Sequence, residues 1–349
     1  MNSNRLVLLI CLTTALVSSA SAANRKVPQQ YPTIQAGVNA ANPGDTVVVS
    51  AGIYVEDVTL NSAPFVNVRG KGKVFIHPSS GNGFTVEYGT SNEIENLRIV
   101  GGYFLIDDSS DVTVRKCRAS GGAYGFRVRD STAVRLEKNR TKNTASAAFS
   151  TSNSNDCKFV GNRSIQDPGV SGWTISGAGM TIRDNRIEGG QFGLYTSCNT
   201  ALVADNRVED VTAYGIYVYG HYGTFADNVI RDCENGIRTY TATYTNLFRN
   251  KIVGASQYGI DEIDSWGTYA LDNDIRKAMS VGIHTSGDEC TYRNNDIRKG
   301  GSFGFYVLGD LCYFRDNYAR AQTGGLDLYE SSQADNNTYI DNDVVTTNI

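Results

Sequence analysis

Residues 180–200 read MTIRDNRIEGGQFGLYTSCNT, and residues 201–222 read ALVADNRVEDVTAYGIYVYGHY. Both segments carry Asp-Asn-Arg followed by Ile or Val, and later an aromatic-Gly-apolar triplet followed by tyrosine: Phe192-Gly193-Leu194-Tyr195 and Tyr214-Gly215-Ile216-Tyr217. The asparagine recurs at 139, 162, 185, 206, 228, 250, 273, 295 and 317, with gaps of 23, 23, 21, 22, 22, 23, 22 and 22 residues. Glycine recurs in step at 125, 172, 193, 215, 236, 259, 282, 304 and 325, and Ala148 fills the one missing place. A fixed period of this length marks a stack of short supersecondary units.

Alternation inside each unit gives strands. Three and five places before the asparagine the residues are apolar or small, as at Met180/Ile182 and Ala201/Val203. One and three places after the glycine they are apolar or Thr, as at Ile216/Val218 and Ile283/Thr285. A period of two marks half-buried strands. Three short strands per unit bury nothing alone, but each turn of chain can cover the last. The expectation is an all-β chain, a right-handed parallel β-helix of about 12 coils of about 22 residues each, rising ~4.8 Å per coil.

The composition follows from one coil repeated. Glycine, 36 of 349 residues, exceeds the usual share of about 7%. It is expected to allow the tight corner before a strand. The asparagines can form a side-chain amide ladder along the stack. Five of the six prolines (Pro28, Pro32, Pro43, Pro64, Pro78) precede the regular coils, since proline deletes a ladder N–H. Few helix-period stretches argue against a helical bundle or a doubly wound α/β fold. A net charge of −4 argues against a nucleic-acid partner.

The ends read differently. Residues 1–22, MNSNRLVLLICLTTALVSSASA, have Arg5, an apolar run Leu6–Val17 and the small-x-small site Ala20-Ser21-Ala22. This is the pattern of a secretory leader, so the chain is expected to be secreted or periplasmic. No other apolar run is long enough for a membrane span. Residues 23–58 are expected to cap the stack. Ile34, Val38 and Ala41 would lie on one face of a short helix ending before Pro43-Gly44, with a strand at Thr46–Ser50. The β-helix would then run over 59–349. No comparable cap follows Tyr339, so the C-terminal edge would be covered by the last residues or by self-association.

The segment TIQAGVNAANPGDTVVVSAGIYVEDV (33–58) and the Asn-x-Ile and Tyr-Gly-Ile repeats resemble the right-handed parallel β-helix proteins of the pectin-lyase-like superfamily, over about residues 30–345. The resemblance implies this fold. It leaves function open among lyases, hydrolases, esterases, epimerases and non-catalytic surface proteins. Mannuronan C5-epimerases carry Tyr-Gly-(Phe/Ile)-Asp-Pro-His. Tyr258-Gly259-Ile260-Asp261 matches its first four places, but Glu262-Ile263 replaces Pro-His. The signature segments of polygalacturonases and pectin esterases, and the calcium-binding nonapeptide, are not found.

Registering the glycines predicts an outward column of Tyr195, Tyr217, Arg238, Asp261, His284, Tyr306 and Asp327, two places past each glycine. Tyr219 and Tyr240 fall in a second column, with His221, Tyr222, Asp264 and Trp266 in nearby turns. Aromatic rings can stack on sugar faces, and Arg can bind a uronate carboxylate. Arg238, Asp261 and His284 are the catalytic candidates. Arg238 would neutralise a uronate, His284 or a tyrosine would move its C5 proton, and Asp261 would set the histidine. That is polysaccharide lyase or C5-epimerase chemistry. A hydrolase would need a carboxylate pair, for which Asp261 with Asp264 is the candidate. The competing reading is a non-catalytic adhesion or structural protein, because coils of nearly constant length build no cleft walls.

Metals are weakly indicated. Asp184, Asp205, Asp227, Asp272 and Asp316 precede ladder asparagines and could suggest Ca2+. Arg186, Arg207 and Lys251 lie two places on from that aspartate position and would neutralise it. No cysteine or histidine spacing fits zinc, and no cofactor is expected. Cys157, Cys290 and Cys312 share one inward place; Cys290 and Cys312, on adjacent coils, could bridge or simply stack. Residues 107–143 hold nine basic and five acidic side chains, whereas 255–349 hold seven and fifteen. Such asymmetry can orient an anionic chain along a rod.

Overall fold

The computed structural model describes residues 22–321 and 325–349. The expected leader, residues 1–22, lies outside them but for Ala22. Among the described residues, 35 strands form one continuous parallel sheet wound into a solenoid. Three sides recur in each coil. Side A precedes the ladder asparagine (Thr181–Arg183), side B follows it (Arg186–Gly189), and side C follows the glycine (Phe192–Asn199). The coils number about 14 rather than about 12. The extra coils come from the ends. Asn24–Val27 already pairs in parallel with Thr46–Val55, which pairs with Asn67–His77. At the other end, Asp343 bridges Tyr318 and Thr347 bridges Leu328, so the last residues begin another coil over the edge.

The N-terminal helix spans Ile34–Asn39. Thr33 Oγ1 caps it by accepting from Ala36 N at 3.0 Å. The Glu56 carboxylate accepts from Ile34 N and Gln35 N, both at 2.9 Å. Ile34 and Val38 are buried on the first coils, as their spacing predicts. The strand expected at Thr46–Ser50 extends to Val55.

Inside the rod, equivalent residues stack. Leu136, Phe159, Ile182, Val203, Phe225 and Leu247 are successive register partners on side A, and all are buried. On side C, Phe104, Phe126 and Phe149 stack with ring centroids 4.9 and 5.0 Å apart, and Trp173 continues the line at 4.2 Å. Each such ring removes apolar area from water worth a few kcal/mol, about 25 cal/mol per Å2.

The asparagines form the expected ladder and are fully buried. Asn206 Nδ2 donates to Asn228 Oδ1 of the next coil at 3.0 Å and to Ile182 O at 2.8 Å. Its backbone N donates to the same Asn228 Oδ1 at 3.0 Å. The ladder extends to Asn342. The corner glycines have a different cause from the expected one. None of Gly193, Gly215, Gly236, Gly259 or Gly282 has a positive φ. A Cβ on Gly236 would instead stand 2.4 Å from Gly259 O and 2.5 Å from Ile252 Cγ2. Close approach between coils excludes a side chain there. Left-handed backbone is found one place before the ladder, at Asp184, Asp205, Asp227, Asp272 and Asp316, with φ of 53° to 58°. Aspartate tolerates that region better than most residues.

Those aspartates are also paired differently from the expectation. Arg249 donates to both oxygens of Asp227 at 2.8 and 2.7 Å, and Arg183 pairs with Asp205 at 3.1 Å. Arg207 pairs with Glu209 and Lys251 with Asp274. The residues two places past the corner point along side B, away from it. All six described cysteines are free thiols, and Cys290 and Cys312 are both buried.

Candidate functional site

Side C carries the predicted column. Tyr195, Tyr217, Arg238, Asp261, His284 and Tyr306 are register partners on six successive coils. The seventh place belongs to Tyr329, not Asp327. Gly325 is out of step, because Phe303 pairs with Leu326 and Phe305 with Leu328. Asp327 is buried, and its Oδ2 accepts from Val345 N at 2.8 Å and Thr346 N at 3.2 Å. It holds the C-terminal segment and is not part of the outward column.

The centre of the column is a chain of charge. Asp261 is almost completely buried although it faces outward. Its Oδ1 lies 2.8 Å from His284 Nδ1. Its Oδ2 lies 3.4 Å from Arg238 Nε, an ion pair longer than a good hydrogen bond. Arg238 Nη1 donates to Tyr214 Oη at 2.6 Å, and the guanidinium lies 5.2 Å from that ring's centroid. With a carboxylate on Nδ1, the neutral imidazole carries its proton there, which leaves Nε2 as a free acceptor. Tyr258 and Tyr306 flank the imidazole, with centroids 5.3 and 5.7 Å away.

Aromatics extend the face in both directions. Tyr195 and Tyr217 stack at 5.3 Å, and Tyr306 and Tyr329 at 4.8 Å. Tyr219, just past its strand, stacks at 6.2 Å on Tyr240, the last residue of its own. At the following corner, Tyr222, Tyr244 and Trp266 form an exposed line with spacings of 5.5 and 4.7 Å. His221 sits at this corner with Nδ1 2.8 Å from Thr243 Oγ1, apart from the Asp261–His284 pair. Asp264 occupies an exposed left-handed corner with φ of 45°. Asp261 is engaged on both sides, so it is not the available partner that a two-carboxylate hydrolase needs.

Burial raises the Tyr217 phenol above its ordinary pKa. Burial, and then the charge of Asp261, raises that of Tyr258. Both phenols therefore stay protonated near neutral pH. Sequence reading missed Tyr214, Tyr258 and Tyr244 on this face, and the register from Gly325 would put Tyr329 in the second column rather than beside Tyr306. Tyr214 and Tyr258 escaped because Gly and the apolar residue after it both face inward. That break in alternation brings the preceding aromatic to the outer face. Glu262, beside Asp261, points inward and is fully buried. Tyr292 Oη donates to it, and the Cys290 thiol does so at 3.1 Å.

Comparisons with known proteins agree on the fold. The family described as right handed beta helix region matches residues 46–170, and the family described as periplasmic copper-binding protein (NosD) matches residues 160–298. The A-module of mannuronan C-5 epimerase AlgE6 from Azotobacter vinelandii is 14% identical, with a TM-score of 0.55 over 89% of this chain and 93% of that one. The periplasmic alginate epimerase AlgG is 13% identical, with a TM-score of 0.54 over 85% and 76%. A PL6 alginate lyase solved with a trisaccharide is 11% identical, with a TM-score of 0.56 over 94% and 86%. No curated protein sequence matches the chain. The chain thus has the expected fold, an all-β right-handed parallel β-helix. Identities this low speak for the fold alone.

Copper, named in one of these descriptions, does not fit the residues present. Among the described residues, no three His, Cys, Asp or Glu side chains converge on a common point. The described thiols are buried in the core.

Proposed function

We propose that this chain binds an anionic polysaccharide along side C and removes the C5 proton of a uronate residue through His284. The observation that carries the reading is the buried Asp261 carboxylate, 2.8 Å from His284 Nδ1, set within a line of stacked tyrosines. Asp261 orients the imidazole and stabilises the imidazolium that forms. Arg238, held by Tyr214 and Asp261, presents the rest of its guanidinium to the uronate carboxylate. Neutralising that carboxylate favours the carbanion that forms at C5. Reprotonation from the opposite face would give a C5 epimer, and loss of the C4 oxygen substituent would give an unsaturated sugar. Tyr195, Tyr217, Tyr306 and Tyr329 offer stacking surfaces for neighbouring sugars, and Tyr219, Tyr240, His221, Asp264 and Trp266 border them.

Alginate-acting proteins among the structural neighbours support this substrate class. The leader-like residues 1–22 and the periplasmic family description support a place outside the cytoplasm. The second reading is a non-catalytic polysaccharide binder. It is favoured by Glu262-Ile263 in place of the epimerase Pro-His and by the open face. Incubation with alginate, polygalacturonate and hyaluronan separates the two readings. Unsaturated-uronate absorbance or a changed uronate ratio, lost in His284→Ala, supports catalysis. Retardation in a polysaccharide gel with no turnover on any polyuronate supports binding alone.

A further inference from the structure

Side B carries a feature that the reaction on side C does not use. Arg98, Arg118, Arg140 and Arg163 are register partners on four successive coils, stacked at the coil spacing of ~4.8 Å. Where the column continues, carboxylates answer it: Arg163 pairs with Glu188 at 3.1 Å and Arg207 with Glu209 at 2.5 Å. The neighbouring outward column explains the difference. It reads Val100, Ser120 and Lys142 beside the first three arginines, and reaches Glu188 and Glu209 only further on. Among the described residues, Arg98, Arg118 and Arg140 take part in no ion pair. Like-charged neighbours this close repel one another unless an anion lies between them. Arg118 registers that repulsion: its pKa is lowered, first by burial and then by Arg98 and Arg140.

These guanidinium groups line a groove whose accessible apolar side chains include the exposed Val100 and the half-buried Ile165. We propose that Arg98, Arg118 and Arg140 form a second binding strip, on side B of the N-terminal coils, for an extended polyuronate chain. One cation per coil along a straight groove matches a polymer with one carboxylate per sugar. Guanidinium binds carboxylate through two parallel N–H donors, and Val100 and Ile165 can take the C–H faces of the rings. The groove lacks a row of free aromatic platforms of the kind that single-stranded nucleic acids use. Phe75 is covered by Arg98, whose guanidinium lies 5.3 Å from its ring centroid. The strip includes Arg118 and Arg140, two of the nine basic side chains of residues 107–143, and it does not rest on the reading of Asp261 and His284.

Affinity electrophoresis of the full chain through gels containing polygalacturonate tests the strip. A His284→Ala background prevents turnover from altering the gel. The double variant Arg118→Gln/Arg140→Gln should weaken retardation at least about tenfold, since two charge-assisted contacts are lost. Arg118→Lys/Arg140→Lys should recover part of it. Circular dichroism checks that the variants keep the β-helix. Equal retardation of the folded double variant, or no retardation of the parent, would overturn the proposal. Tighter capture by anionic lipid vesicles or a DNA oligonucleotide than by polygalacturonate at the same salt would overturn it too.

Discussion

Asp261 and Glu262 are adjacent, and the strand sends their carboxylates to opposite sides. Asp261 faces out to His284 and Arg238, while Glu262 faces into the core against Tyr292 and Cys290. Asp261→Asn would keep the shape but remove the charge that holds the proton on Nδ1. Turnover of a polyuronate should fall at least about 100-fold, the usual scale of general-base assistance, with little change in KM. For Glu262 the expected effect is on stability. Tyr292→Phe removes one of its two donors, and urea unfolding should show a loss of about 1–3 kcal/mol with no change in polysaccharide retardation. The alignment of the candidates Arg238, Asp261 and His284 was legible because the period alone brings them into line. Tyr214 and Tyr258 were not, because the pair of inward residues at each glycine breaks the alternation used to assign faces. Asp327 was misplaced for a related reason: the last glycine, Gly325, is not in register with Gly304.

At the scale of the coil, two devices fix the register. Asn228 Oδ1 accepts from Asn206 N and Nδ2, while Asn228 Nδ2 donates to Val203 O and Asn250 Oδ1. Asn228→Ala would strand several buried partners at once, and should cost at least about 3 kcal/mol by denaturant unfolding. Gly236→Ala should destabilise by about 1–3 kcal/mol through overpacking, because its Cβ would meet backbone 2.4 Å away. The ladder was legible from spacing, since buried asparagine amides at a constant interval have few other uses. The role of glycine was only half legible. Sequence shows where a side chain is missing, but inter-coil contact distances decide whether backbone angle or crowding is the cause.

Across the whole rod, each coil rests on its neighbours, so stability sums over interfaces. The buried thiols make that sum depend on pH. Burial pushes Cys117 and Cys233 up to about 12, and Cys157 and Cys198 to about 11, from an ordinary value of 9.0. Above the ordinary value the unfolded chain releases these protons while the folded chain keeps them, so rising pH favours unfolding. The urea midpoint should hold below about pH 9 and fall from there towards about pH 12, with a shallower fall in Cys233→Val. The length of the rod was nearly legible, and the missing coils were those whose sequence departs from the repeat.

The most direct test of the central claim, that His284 moves a uronate C5 proton, is the C5–H signal of polyuronates incubated with the protein in D2O, followed by proton NMR. Both epimerisation and elimination remove that signal. The account predicts its loss on at least one polyuronate with the wild-type chain and its retention with His284→Ala. Retention of the signal on alginate, polygalacturonate and hyaluronan, or its equal loss with His284→Ala, would contradict it.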